Sequence, residues 1–435
     1  MMRTLTNFLL LFFIFIFFSC KKDDASIDLL KQAQNIAESK PDYALTLLDS
    51  IPNPENMDKD NYMQYIVIQL QAKQRAKQDI TNDTLIFEAQ KYFDEKKNVK
   101  QAELAHYYAG RVYRSRNMSD KALKCFLQSE SYAIHSNNNV LAGKNLHIMG
   151  NLYLEQGIID TAIILYKKAL DYYNQGKDTD KYKMKVTNEI GRAYDEIGNI
   201  DSSYVYFQRS MEYADKLGDK EFKIIISNNL GYIYFRIKDY DKALNYLNNA
   251  LKKSSDAETS TKASLNLSYL YNAKNRPDSA LYYIHFSENY LNGITDNIIL
   301  EGLYASFSDY YKQTGDYKQA LHYKELEDSI NNVITKDERP LSLLAADKNF
   351  YLDQKDKQVD QLRKHIFLYL LIGIVICLVL LIFSISIFKI HKRDKKEIKL
   401  QEEKYRRIKD QLLMMAAEYK DIEAEIAAIL DEEDD

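Results

Sequence analysis

With 435 residues, 46 % of them hydrophobic, and only 13 Gly and 5 Pro, the chain has ample apolar material for a core and few helix breakers. A net charge of −4 argues against nucleic acid as a partner, and three cysteines do not make a disulfide framework. The seven histidines are scattered, with no His-Glu-x-x-His spacing, Gly-rich phosphate loop or Gly-x-Ser-x-Gly elbow, so we expect no catalytic site, no metal and no cofactor.

Residues 1–19 read as a secretory signal: Arg3 in a short charged start, then an apolar run from Phe8 to Phe18. That run falls short of the ~20 residues a bilayer-spanning helix needs. It ends at Phe17-Phe18-Ser19-Cys20, which resembles a bacterial lipobox, although Phe18 stands where a small residue is usual. The resemblance implies a lipid on Cys20, and Lys21-Lys22-Asp23-Asp24 is similar to the charged signal that follows the lipidated cysteine in some Gram-negative lipoproteins. Of the other cysteines, Cys125 reads as a buried thiol in a helix and Cys377 lies in an apolar segment.

From residue 27 to 335 one pattern returns at a step of about 40 residues. Gly110/Tyr113, Gly150/Tyr153, Gly191/Tyr194 and Gly231/Tyr234 all read Gly-x-x-Tyr. Small residues follow at Ala122, Ala162, Ser203 and Ala243, and bulky ones at Phe126, Tyr166, Phe207 and Leu247. Degenerate copies run through Ser268/Tyr271/Ala280/Ile284 and Ser308/Tyr311/Ala320/Lys324. Upstream, Pro41 and Ala44 open one helix, and 60–77 with 83–96 make a further pair, with Asn82 or Asp83 as its candidate cap. The count is about eight helix pairs, in a repeat whose Gly and small positions let paired helices approach closely.

This pattern resembles the tetratricopeptide repeat, which implies a solenoid of helical hairpins that binds a protein or peptide in the groove formed by the first helix of each pair. By the register of the motif, Tyr107, Arg111, His147, Asn151, Asn188, Arg192, Asn228 and Tyr232 point into that groove, with Arg114, Asp195 and Arg236 one turn on. Such a row suits clamping a peptide backbone or carboxylate, and it equally suits a solvated polar face. The Lys/Asn/Asn/Lys/Arg set of relatives that grip C-terminal carboxylates is not matched, since Glu189 and Ile225 occupy two of its places.

After Pro340, residues 341–365 predict a juxtamembrane helix, with Leu352, Val359, Leu362, Ile366 and Tyr369 in a seven-residue pattern. Residues 366–390 carry one charge, Lys389, and are long enough to span a bilayer. Basic residues from Lys392 to Lys399 then place the C-terminus in the cytoplasm and the repeats in the periplasm. In the tail, 391–435, a heptad seam through Ile408, Leu412, Met415, Tyr419, Ile422 and Ile426, ahead of an acidic end, suits a coiled coil that forms a homodimer, and the alternative is one amphipathic helix lying on the membrane.

The expected fold is therefore all-α: a tetratricopeptide-type solenoid, one transmembrane helix and a C-terminal coiled-coil helix. The layout resembles membrane-bound tetratricopeptide regulators of Gram-negative bacteria, which implies an inner-membrane protein that relays groove occupancy to its tail. The tail holds no kinase or helix-turn-helix domain of the kind those regulators often carry. The alternative is an envelope scaffold or assembly factor whose span is a passive anchor.

Overall fold

A computed structural model describes residues 25–288, 297–335 and 339–418, and among them there are helices and turns but no strand. Among the described residues the solenoid consists of eight helix pairs. They are α1 (25–36) with α2 (Pro41–Asp49), α3 (Lys59–Arg75) with α4 (Ile86–Lys96), α5 (Val99–Ser115) with α6 (Ser119–His135), and α7 (Asn139–Glu155) with α8 (Ile159–Gln175). Then come α9 (Asp180–Glu196) with α10 (Ile200–Leu217), α11 (Lys220–Arg236) with α12 (Tyr240–Lys253), α13 (Ala257–Ala273) with α14 (Pro277–Glu288), and α15 (Asn297–Thr314) with α16 (Tyr317–Thr335). The first helices also touch one another, α7 with α9, α9 with α11, α11 with α13 and α13 with α15, and so build a continuous face.

Local chemistry sets where each helix stops. In six pairs the hairpin turn is a left-handed cap whose positive-φ residue is Asn117, Gly157, Gly198, Lys238, Asn275 or Gly315. The next N–H bonds back to the carbonyl of the motif tyrosine, from Met118 to Tyr113 (3.0 Å), Ile158 to Tyr153 (2.9 Å) and Asp239 to Tyr234 (2.9 Å). Side-chain caps start many of the helices, among them Asn98, Asn138, Asp219 and Asp256 at first helices of pairs and Asn199 and Asp239 at second helices. The cap expected at Asn82 or Asp83 is not formed. Helix α4 begins at Ile86 without a side-chain cap, and Asp83 instead forms an ion pair with Lys73 (2.7 Å).

The core follows the motif. Ala122, Ala162, Ser203 and Ala243 are completely buried, and Phe126, Tyr166, Phe207 and Leu247 nearly so. Each bulky side chain covers the glycine of its own pair, so the repeat is a size code for close packing. The motif tyrosines of the later pairs stack on a tyrosine twelve positions on: Tyr194 on Tyr206 (5.6 Å), Tyr234 on Tyr246 (5.3 Å), Tyr271 on Tyr283 (5.5 Å) and Tyr311 on Tyr323 (5.6 Å). Part of the tyrosine enrichment is therefore a structural ladder.

Helix α17 (Arg339–Glu418) contains the regions 341–365 and 366–390 and the start of the tail. Its opening turns belong to the solenoid unit, which extends to Tyr351. Leu343 and Ala346 are buried in the main core, and Phe350 packs against it. The second unit starts at Leu352 and contains a stretch long and apolar enough to cross a membrane. Of the heptad seam, Ile408 is exposed, while the side chains of Leu412 and Met415 and the whole of Tyr419, Ile422 and Ile426 lie outside the described residues, as does Cys20.

Candidate binding groove

Four of the groove positions read from the sequence, Arg192, Asp195, Asn228 and Tyr232, surround one cavity of about 270 Å³ between α9, α11, α13 and α15. The same cavity is lined by Asn229, Asn266, Tyr269 and Lys262, which the motif register did not single out. A second cavity of about 700 Å³ shares Tyr232 and Tyr269 and continues to Asp309 and Lys312, so the two form one track along the first helices. Its walls combine aromatic faces with amide and charged groups of both signs, the mixture that holds a peptide by stacking and directional hydrogen bonds.

The amides are already organised. Asn229 Nδ2 donates to Asn188 Oδ1 (2.9 Å), and Asn266 Nδ2 donates to Asn228 Oδ1 (3.0 Å), linking α9 to α11 and α11 to α13. Asn188 and Asn228 are almost fully buried by these bonds. Arg236 reaches across to Asp195 (3.1 Å), and its guanidinium lies 5.9 Å from the Tyr232 ring centre. Arg192 pairs with Glu189 (2.9 Å) and remains exposed.

In the earlier pairs the same register is more occluded. Tyr107 is buried against Tyr108 and Phe126, and Arg114 is paired with Glu155. Asn151 accepts a hydrogen bond from the Tyr166 hydroxyl (2.8 Å). His147 sits edge-on to Tyr166, and burial pulls its pKa down to about 4, so it is neutral at pH 7. Arg111 is half-buried on the same helix as Tyr107.

A contact without sequence warning crosses this region. Glu38, in the turn after α1, accepts from Arg75 Nε (2.9 Å), Lys144 Nζ (2.9 Å) and the Tyr182 hydroxyl (2.7 Å). Burial alone would raise the Glu38 pKa, but Lys144 and Arg75 outweigh it and hold the carboxyl at about 2.

A buried polar network lies elsewhere, where His106 bridges Asp94 (3.0 Å) and Gln90 (2.9 Å), and Tyr132 donates to Asp94 (2.8 Å). Cys125 is beside it, but burial pushes the thiol up to about 12, so it stays protonated and is no nucleophile at neutral pH.

Residues 182–256 match the family model described as tetratricopeptide repeat. No curated protein matches the chain. Among solved structures it is similar to the apo form of RapI, at 14 % identity over 72 % of this chain and 99 % of that one, with a TM-score of 0.56. It is also similar to a Rap protein complexed with Competence and Sporulation Factor, at 12 % identity over 72 % and 99 % of the two chains, with a TM-score of 0.51. These likenesses, with the eight hairpins, establish a tetratricopeptide-type helical solenoid.

Proposed function

We propose that this protein is a non-enzymatic receptor or adaptor, anchored in the bacterial inner membrane, whose periplasmic solenoid binds a peptide or a protein segment. The observation that carries this reading is the track past Arg192, Asn229, Tyr232, Asn266 and Tyr269, a groove lined by aromatic and amide side chains. The complex of a Rap protein with Competence and Sporulation Factor is consistent with ligand binding by this fold. Replacing Tyr232 and Tyr269 together by Ala is expected to weaken binding by about 30-fold or more, as for loss of a hot spot worth about 2 kcal/mol. Unchanged retention of partners on the variant would remove the groove from the account.

Relay across the membrane is the second half of the proposal. Leu343, Ala346 and Phe350 seat the start of α17 on the solenoid core, so a change in the solenoid has a mechanical hold on that helix. On this reading the span is 366–390, Cys20 carries a lipid, and the tail 391–435 dimerises or recruits a cytoplasmic protein. The test compares partners captured from detergent-solubilised membranes by the intact protein and by one lacking 391–435. Cytoplasmic partners lost on truncation are the expected result, while identical partner sets would make the span a passive anchor. Leu412→Asp or Ile422→Asp is likewise expected to abolish cross-linking between tails and to leave groove binding intact.

A further inference from the structure

Four polar groups from three non-consecutive helices converge on one carboxylate, one of them the Gln71 amide on α3, whose Nε2 donates to Glu38 Oε2 (3.3 Å). Arg75 comes from the end of α3, Lys144 from α7 and Tyr182 from α9, while Glu38 arrives on a turn between α1 and α2. The Lys144 side chain is only 15 % exposed and Arg75 28 %, so both cations are substantially withdrawn from water. Glu38 is itself 40 % exposed, on a three-residue turn with solvent at its back. An anion held by cations largely withdrawn from water, yet itself reached from solvent, is placed as a bound ligand group would be rather than as a core ion pair.

The charge around it points the same way. One turn beyond Tyr182, Lys185 interacts with Lys181, Arg75 and Lys77, opposed by Asp219. Burial first, and then these like charges, lowers its pKa. The cations at this end of the groove thus exceed what Glu38 neutralises. Tyr182, Lys185 and Arg192 share one face of α9, and ten residues of helix separate the first from the last by about 15 Å. An extended chain of four or five residues covers that distance at about 3.3 Å each.

We propose that Arg75, Lys144 and Tyr182 form a carboxylate-binding site in the groove, which Glu38 fills in cis and from which a ligand carboxylate displaces it. The ligand is then an acidic peptide, with its carboxylate at Tyr182 and its body along α9 toward Tyr232. This last part rests on the groove-binding reading above, and the existence of the carboxylate site does not.

The test uses the full chain in detergent and sodium propionate as a detached glutamate side chain. Glu38→Ala is expected to melt below the wild type, and propionate to raise its melting temperature by several degrees where equimolar sodium chloride does not. The wild type, whose site is filled, is expected to respond weakly, and the Glu38→Ala/Lys144→Met double variant not at all. Equal propionate responses in wild type and Glu38→Ala would overturn the proposal. Glu38→Gln, close in shape, serves for the second arm, in which pentaalanine with a free C-terminus is compared with its amide and with an amide carrying one internal glutamate. At least ten-fold tighter binding of the free acid, or of the glutamate peptide, than of the plain amide supports displacement and tells a terminal from a side-chain carboxylate. Equal binding of all three overturns displacement. Propionate rescue with no peptide bound leaves the carboxylate site standing and removes the peptide reading.

Discussion

Gly150→Ala is expected to destabilise the solenoid by about 1–2 kcal/mol, although alanine is the better helix former by about 1 kcal/mol. The sign is decided by Tyr166. A methyl group built on Gly150 overlaps the Tyr166 ring, as one on Gly110 would come within 2.6 Å of Phe126 and one on Gly191 within 2.8 Å of Phe207. Tyr166 has no room to yield: it is completely buried, and its hydroxyl is tied to Asn151. Overpacking of this kind costs about 1–3 kcal/mol, and Gly150→Val, bulkier and β-branched, lies at or beyond the upper end. The measurement is thermal melting of the detergent-solubilised chain. A second variant separates packing from propensity. On a Tyr166→Leu background, where the ring is gone, Gly150→Ala is expected to be neutral or stabilising. Equal losses with and without the ring would show that the glycine serves some purpose other than clearance.

That size code explains why the fold is legible in the sequence. Close approach of two helices favours a glycine or another small residue, a second small residue and a bulky one at fixed spacing, and that spacing recurs in every pair from α5 to α16. Helix ends were less legible. Asp83 suits a cap by residue type, but Lys73 lies within reach and takes its carboxylate instead. In the groove, Arg192 and Tyr232 follow from register alone because α9 and α11 present their faces in step. Asn229 and Asn266 do not follow from register, because their partners, Asn188 and Asn228, sit on neighbouring helices. The twelve-residue spacing of Tyr194/Tyr206 and Tyr234/Tyr246 was visible, and it would have identified the stacked pairs. Glu38 offers no such signal. Its meeting with Lys144, more than a hundred residues away, depends on how far the solenoid turns per pair, a rotation that accumulates over several hairpins. The docking of α17 was also hidden, since its buried contacts, Leu343, Ala346 and Phe350, precede the heptad pattern that begins at Leu352.

Raising the pH from 5 to 8 is expected to weaken that docking, and Glu130→Gln to remove most of the dependence. Glu130 on α6 interacts with Asp347 at the start of α17 and with Lys168 on α8, and Asp347 also lies beside the Tyr153 hydroxyl on α7. Burial pushes the Glu130 pKa from 4.5 to about 7, with Lys168 opposing and Asp347 adding to the rise. The sign follows from proton counting. Between 4.5 and 7 the folded protein keeps a proton that the unfolded chain has released, so stability falls as pH rises through this window. The stabilisation is full below 4.5 and lost above 7, and a shift of this size corresponds to at most about 3 kcal/mol. Once ionised, Glu130 and Asp347 repel each other across the contact that holds α17, so release of residues 343–351 relieves the penalty before global unfolding does. Amide exchange there is expected to accelerate by about ten-fold per 1.4 kcal/mol lost, with the rest of α6 and α7 little changed after correction for intrinsic pH effects. Glu130→Gln cannot ionise and should exchange at a corrected rate with little pH dependence, slower than the wild type at pH 8, the remainder coming from Asp347, whose pKa burial also raises. A variant that loosens with pH as the wild type does would shift the cause away from Glu130. If the expected result holds, the hold of the solenoid on the start of α17 depends on the protonation of Glu130.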